Sequence, residues 1–299
     1  VVWSNGYLDF GLCMIVQEGM AATFRSPADL AGKRIAIYDD LPDAMKAGKI
    51  DLIMAGYVPD PSIKGVVWSN GYLDFGLCMI VQEGMAATFR SPADLAGKRI
   101  AIPSRFAVDF LFLRKMLALE NMTPADLEIV EMPPPDMPAA LYANAVDAYC
   151  TGEPFGAAAQ SAGYARPLRM TRDEWRNYIC CVLTVREELI ASNRPLVQDL
   201  VNHVLGAGVW LDAQQENRNK AVAIAAGRKF FNQDPAIIRF VMENPVDRVT
   251  YGDLRMIRSE FEELMQLSIE AGTIKQPIAY EKYMDESFAK AARPATIAL

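Results

Sequence analysis

The sequence has very little histidine, and its cysteines form no recognisable motif. His203 is the only histidine in 299 residues, and the five cysteines form no CxxC pair and no cluster with it. A serine–histidine–aspartate triad and a multi-histidine metal site both need histidine beside other functional groups. The sequence therefore argues against both, and we expect neither a metal site nor a cofactor.

Long apolar runs and nucleotide-binding motifs are also missing. No apolar run approaches the roughly 18 residues that a membrane helix needs. Gly206-Ala207-Gly208 lies inside a predicted helix and follows no strand, so it does not indicate a nucleotide site. The net charge of −7 and the pI of about 5.0 argue against nonspecific nucleic-acid binding. The numbered sequence begins at Val1 rather than Met, so the lack of a signal peptide says little about compartment.

The composition that remains is that of an ordinary globular protein. Apolar residues make up 52% and charged residues 22%, and 299 residues correspond to about two domains. Strand and helix patterns alternate through the first 186 residues, and the last third is almost wholly helical. This alternation predicts mostly parallel sheets with helices on both faces. Ligands of such folds bind beyond the carboxyl ends of the strands.

A long internal repeat opens the chain. Residues 1–37 are identical to residues 66–102. Repeats that evolved as structural arrays diverge and recur several times, whereas this one has two copies without a difference. We therefore interpret it as a recent duplication, a chimera or an assembly error, and not as a functional repeat. The second copy continues into a predicted helix, so we expect it to be the original context.

The end of the second copy is the first candidate site. Lys98–Ile102 is a strand-like run that Pro103 ends, and Ser104 then stands where a helix N-cap is expected. Helical apolar spacing begins at Phe106. Unpaired backbone N–H groups and the helix dipole favour an anion at such a turn, and Arg105 adds a cation there. The alternative is an ordinary strand–helix unit with a capped helix.

Two carboxylates follow later strands and form the second candidate. Asp136 and Glu153 could face one cleft as an acid–base pair, although the sequence supplies no base-activated nucleophile. Glu153 precedes Pro154 at a strand end. Its carboxylate could line a cleft, tie a hinge or cap the following helix, and the sequence leaves these three roles open.

A turn in the second copy is the third candidate. Trp68, Asn70 and Gly71 could form one wall of a cleft, with a core position as the alternative for Trp68. His203 shares a helix face with Asp199, off the apolar stripe of that helix. We therefore expect His203 to be solvated or at a packing edge, without a chemical role.

Three stretches of the chain resemble a known family. They are SPADLAGKRIAIP, PPPDMPAALYANAVDAYCTGEPF and ICCVLTVREELI. They are similar to segments of the solute-binding proteins of NitT/TauT-type ABC transporters, which bind nitrate, bicarbonate, sulfonates, taurine and related molecules. The resemblance runs from about Asp40 to Leu299. GEPF resembles the GEPW of the nitrate- and bicarbonate-binding branch, and WLDAQQENR at Trp210–Arg218 is similar to that branch as well.

The resemblance implies an α/β protein with the type II periplasmic-binding-protein fold. Two α/β lobes joined by a hinge would close on the ligand, and the C-terminal third would be helical. Lobe one would comprise residues 1–93 and 179–299, and lobe two residues 94–178. The family's opening strand–loop–strand is missing, and residues 1–37 stand in its place. Either the duplicate fills the sheet of lobe one, or that lobe is defective.

The resemblance also implies a function and a site. The protein would be the periplasmic solute-binding component of an ABC importer. It would capture a small anion of the nitrate, bicarbonate or sulfonate class in the cleft between the lobes and deliver it to a membrane permease, as a monomer that binds no nucleic acid. Its contact with the membrane would be only through that permease. The predicted ligand-binding residues are Ser104, Arg105, Phe106, Glu153, Trp68, Asn70, Gly71 and Asp136.

Three alternatives remain beside this reading. One is a cytoplasmic ligand sensor with the same fold, acting on a regulatory partner, and another is a nonfunctional chimera. The third is an enzyme, because the fold is similar to that of the fungal thiamine-pyrimidine synthases. Those depend on a cysteine-rich motif and an active-site histidine. Cys180-Cys181 is too short a match and His203 lies on the wrong sort of helix, so we expect no enzyme.

Overall fold

The described part of the chain forms two β-sheets surrounded by helices. The computed structural model describes residues 89–175, 181–227, 233–252, 254 and 257–298, together with four short strands before them. The strands are β1 (Ile35–Ala36), β2 (Leu52–Ala55), β3 (Lys64–Ser69), β4 (Cys78–Gln82), β5 (Arg99–Ile102), β6 (Glu128–Glu131), β7 (Ala148–Thr151), β8 (Ala165–Met170) and β9 (Cys181–Val185).

Helices make up most of the remainder, and the predicted helical C-terminal third is confirmed. They are α1 (Val108–Ala118), α2 (Met137–Tyr142), α3 (Phe155–Ser161), α4 (Thr171–Glu174), α5 (Glu187–Ser192), α6 (Arg194–Ala213), α7 (Gln215–Ala225), α8 (Pro235–Glu243), α9 (Arg258–Glu270), α10 (Tyr280–Tyr283) and α11 (Ser287–Ala291). Short 3-10 turns at Pro92–Leu95, Pro124–Asp126 and Pro134–Asp136 connect the elements. Among the helices that the structure describes, none is long and apolar enough to cross a membrane.

Both sheets are mixed, so the prediction of mostly parallel sheets is wrong. Among the described strands, four of the seven pairings are antiparallel, and all four involve β4 or β9. In the five-stranded sheet, ordered β6-β5-β7-β4-β8, β5 runs parallel to β6 and β7, and β4 runs antiparallel to β7 and β8. In the four-stranded sheet, ordered β1-β2-β9-β3, β9 is antiparallel to both neighbours. The chain enters the five-stranded sheet between β3 and β4 and has left it by β9. Two crossings between two sheets agree with the predicted two-lobed α/β fold.

One strand lies elsewhere than the predicted lobe boundaries imply. The division at residue 94 counts β4 in lobe one, whereas β4 pairs with β7 and β8 in the five-stranded sheet. The sequence pattern predicts that a strand forms at β4, but its sheet is decided by partners far along the chain, β7 and β8. The remaining lobe assignments stay a prediction.

The helix after β5 begins later than its sequence predicts. The N-cap of α1 is Ala107, which makes no side-chain cap bond, and Ser104 lies three residues earlier in the preceding turn. Phe106 is therefore 66% exposed instead of continuing the buried helix face. The helix itself is buried on most sides, with Phe110, Leu113 and Leu117 all in the core. It packs between the sheet and the C-terminal helices.

The predicted exposure of His203 is wrong. Its ring is 2% exposed, and Nδ1 lies 2.8 Å from the carbonyl oxygen of Asp199. The reason is the C-terminal segment, whose Ala295 N–H donates to the carbonyl of Asn202 at 2.9 Å and covers this flank of α6. Helical spacing identifies the apolar stripe of a helix, but it does not reveal a distant segment that crosses the opposite side.

Two glycines of α6 lie against the backbone of other segments. A Cβ on Gly206 would clash with the carbonyl oxygen of Ala295 in the C-terminal segment, and one on Gly208 would clash with that of Tyr251, between α8 and α9. The glycines of this GxG sequence therefore serve close backbone packing.

Candidate functional site

The carboxyl ends of three parallel strands meet at one edge of the five-stranded sheet. Strands β5, β6 and β7 are neighbours in parallel register, so the turns that follow them lie at the same edge. Ligands of α/β folds bind at such edges. The structure thereby brings five of the predicted residues to one side of the sheet, namely Ser104, Arg105, Phe106, Asp136 and Glu153.

The turn after β5 already holds a carboxylate. The backbone N–H of Arg105 donates to Oε2 of Glu131 at 3.1 Å, and its guanidinium Nε lies 3.3 Å from Oε1. Ser104 Oγ accepts from the N–H of Phe106 at 3.1 Å. One backbone amide and one guanidinium thus hold the carboxylate of Glu131 together.

This pair of side chains is open to solvent. The side chains of Arg105 and Glu131 are 47% and 45% exposed. An exposed ion pair contributes only about 0–1 kcal/mol, so an external anion can replace its carboxylate at little cost. The turn after β5 therefore holds the Glu131 carboxylate only weakly.

Sequence reasoning missed Glu131. It is the last residue of β6 and lies directly opposite Ile102 in the parallel register. A signal was present, since a carboxylate at the end of a strand adjacent to β5 must lie near the turn after β5. That signal becomes readable only once the order of strands in the sheet is known.

Glu153 is buried and paired. Its Oε2 accepts from the N–H of Ala157 at 2.7 Å, and its Oε1 accepts from Nε of Arg248 at 2.6 Å, with a second close contact from Nη2 of Arg248. The two side chains are 0% and 1% exposed. The sequence places Glu153 among the ligand-binding residues, but this geometry supports the roles of helix cap and tie instead.

Arg248 is the partner that the sequence did not reveal. Its Nη1 donates to Oε1 of Gln160 at 3.0 Å and to the carbonyl of Asn244 at 2.9 Å. The guanidinium also lies 5.5 Å from the ring centroid of Phe240. The network fastens α3, beside the five-stranded sheet, to the segment that follows α8.

The other predicted residues have less defined positions. Asp136 is exposed, at the N-cap position of α2, and makes no side-chain cap bond. Because Glu153 is sealed in its ion pair, the two carboxylates do not form an acid–base pair in a common open cleft. Trp68 lies in β3, paired with Val182, and Asn70 and Gly71 lie outside the described residues.

The described residues contain no grouping suited to a metal ion. Nowhere in that part of the chain do three or more His, Cys, Asp or Glu side chains converge. The polar groups that the turn after β5 presents are a backbone amide, a hydroxyl and a guanidinium.

Known proteins resemble this chain in sequence and in fold. The model of the NMT1-like family matches residues 62–226, which include the second copy of the repeat and not the first. The nitrate/nitrite binding protein NrtA of Nostoc sp. is 29% identical over 172 residues, covering 56% of this chain and 38% of that protein. The match thus spans well under two thirds of the relative's length.

Two solved structures share the fold. The ligand binding component of an ABC-type import system from Staphylococcus aureus, with zinc bound, has a TM-score of 0.70 at 24% identity, covering 86% of each chain. The periplasmic aliphatic sulphonate binding protein SsuA from Escherichia coli has a TM-score of 0.66 at 17% identity, covering 87% of this chain and 81% of that one. These likenesses confirm the predicted fold. Since the family model matches more than half of its residues, the chain belongs to the NMT1-like family.

Proposed function

We propose that this protein is the solute-binding component of an ABC importer, capturing a small anion between its lobes and delivering it to a permease. The observation that carries the proposal is the exposed turn after β5, where the amide and guanidinium of Arg105 hold a carboxylate. The names of NrtA and SsuA support an anion of the nitrate or sulfonate class, and bicarbonate stays a prediction from the sequence resemblance. SsuA is a periplasmic protein, which supports a periplasmic site of action for this chain as well.

Binding would proceed by exchange at this turn. The incoming anion takes the donors that Glu131 occupies, and the Glu131 side chain moves out to solvent. Charge-assisted hydrogen bonds from a guanidinium and a backbone amide are stronger than neutral ones, so they supply most of the binding energy. Ser104 Oγ, which accepts from the Phe106 N–H, keeps its own hydroxyl hydrogen for the ligand.

Closure of the lobes would then remove the anion from water. Two α/β lobes that rotate about a hinge bury a ligand bound at their facing edges. The buried Glu153–Arg248 pair lies at the same sheet edge and joins the segment after α8 to α3. We expect it to stay intact during closure, since separating a buried ion pair is costly.

Thermal unfolding of the full chain tests the proposal directly. A ligand that binds only the folded state raises the unfolding free energy by roughly RT ln(1 + [L]/Kd). We expect the midpoint to rise with one member of a panel of nitrate, nitrite, bicarbonate, taurine and alkanesulfonates. The rise should shrink in Arg105→Gln. Arg194→Gln is the matched control, because Arg194 is also half-exposed, paired with a carboxylate and stacked on a phenylalanine.

Three outcomes would count against the proposal. If unfolding is cooperative but no anion raises the midpoint, the protein is folded and does not bind the proposed class of ligand. An equal shift in wild type and Arg105→Gln would move the site away from the turn after β5. A transition without cooperativity would favour a nonfunctional chimera.

A further inference from the structure

A groove runs along the outer side of α1 and begins at the anion turn, which consists of Ser104, Arg105 and Phe106 after β5. Its volume is about 430 Å³, within the range of small-molecule sites. One end lies at Arg105 and Phe106, which follow β5, and the other lies at Thr123, which precedes β6. Because β5 and β6 are parallel, these ends lie at opposite edges of the sheet. The groove therefore extends well beyond the anion turn.

An aromatic ring between two guanidinium groups forms the floor of this α1 groove. The guanidinium carbons of Arg105 and Arg114 lie 5.6 and 5.9 Å from the ring centroid of Phe110. Both arginines, Phe110 and the exposed Phe106 line the groove. An apolar surface thus adjoins positive charge at two points along one helix.

The two arginines differ in how their charge is compensated. Arg105 pairs with Glu131, whereas Arg114 donates from Nη2 to the carbonyl oxygen of Glu270 at 3.0 Å. Within the part of the chain that the structure describes, Arg114 has no carboxylate at ion-pair distance. The adjacent Lys115 does have one, Glu263 at 2.8 Å. Arg114 therefore brings a charge into the groove that the described residues do not neutralise.

The hydroxyls in the groove are already committed as donors. Thr123 Oγ1 is within 3.1 Å of Oδ2 of Asp126, and Thr273 Oγ1 donates to the carbonyl of Ser268 at 2.8 Å. Neither hydroxyl has a hydrogen left for a ligand. Polar recognition of an anion consequently rests on the guanidinium of Arg114, with apolar contact from the phenylalanines.

We propose that the α1 groove binds an organic monoanion, a carboxylate or sulfonate with a small apolar body. The acidic group pairs with Arg114, and the apolar body lies against Phe110 and Phe106. A single uncompensated guanidinium favours one negative charge, and the apolar walls disfavour a bare inorganic anion. The partner of the acidic group, Arg114, lies beyond the anion turn, although Arg105 and Phe106 of that turn line the other end of the groove. The inference does not depend on the proposed transport function.

The test uses benzenesulfonate as the probe and benzenesulfonamide as its neutral isostere. Titration of the full chain, followed by backbone amide chemical shifts, should perturb Thr123, Ala125 and residues 271–273. We expect Arg114→Gln to weaken binding roughly tenfold or more, since it removes a charge-assisted contact, and Arg114→Lys to weaken it less. Lys115→Gln is the matched control and should leave the affinity within about twofold, because Lys115 does not line the groove.

Several results would overturn the assignment. These are no binding of benzenesulfonate at millimolar concentration, equal binding of benzenesulfonamide, or unchanged affinity in both folded Arg114 variants. Shifts confined to residues 104–106 and 131 would assign the probe to the anion turn instead. That pattern would contradict binding in the α1 groove but not the proposed function, so the two proposals can fail separately.

Discussion

The edge of the five-stranded sheet carries two arginine–glutamate pairs of opposite character. Arg105–Glu131 follows β5 and β6 and is almost half exposed, whereas Arg248–Glu153 lies beside β7 and is sealed from solvent. The chemical groups are identical, so the difference in burial decides their roles. A buried pair is strongly destabilised when one partner is lost, and an exposed pair can exchange partners. The first suits ligand exchange and the second suits a fixed joint.

Breaking the buried pair should have the largest effect. Glu153→Gln keeps an acceptor for the Ala157 N–H but leaves Arg248 without its counter-charge in a dry site. We expect the free energy of unfolding to fall by about 3–5 kcal/mol, measured by urea denaturation. The matched control is Glu131→Gln, which removes the same charge from the exposed pair. A loss below about 1 kcal/mol in Glu153→Gln would mean that burial does not distinguish the pairs.

Removing both buried partners should cost less than the two single losses together. Each of Glu153→Gln and Arg248→Met leaves one partner unmatched, whereas the double variant leaves neither charge isolated. We expect a coupling free energy of roughly 0.5–3 kcal/mol from a double-mutant cycle. The same cycle on Arg105→Gln and Glu131→Gln should give a coupling of at most about 1 kcal/mol. Additive losses at the buried site would contradict a direct interaction.

Losing the exposed arginine should affect binding more than stability. Arg105→Gln removes the guanidinium but retains the backbone N–H of the turn, so the unfolding free energy should change by at most about 1 kcal/mol. The affinity for the anion identified by thermal shift should fall roughly tenfold or more, measured by calorimetry. A stability loss comparable to that of Glu153→Gln would show that the anion turn is also a structural joint.

The fold was largely predictable from the sequence. The repeat shows that strand formation can be predicted locally but strand pairing cannot. Ile35–Ala36 and Ile100–Ala101 are identical in sequence and both form strands. The first pairs with β2 in the four-stranded sheet, and the second pairs with both β6 and β7 in the five-stranded sheet. Local sequence determines that a strand forms, but the choice of partner depends on segments far along the chain.

The candidate site was also predictable only where its residues are close in sequence. Ser104 and Arg105 follow from a strand, a proline and a helix that are adjacent in sequence. Glu131 and Arg248 do not, since one requires the strand order and the other lies 95 positions from Glu153. The burial of Glu153 likewise depends on α8 and the segment after it. Residue type identified the carboxylate, and tertiary packing decided whether it faces water or an arginine.

Removing the exposed carboxylate should have the smallest effect on stability and the opposite effect on binding. Glu131→Gln abolishes the internal anion that occupies the donors of Arg105 and also its repulsion of an incoming anion. Because a site occupied by an internal competitor binds in proportion to its free fraction, affinity should rise severalfold. The measurement is calorimetry with the same anion, and Glu128→Gln, in the same strand but further from the turn, is the matched control. Unchanged or weaker binding in Glu131→Gln would mean that Glu131 is part of the anion turn's architecture and not its competitor.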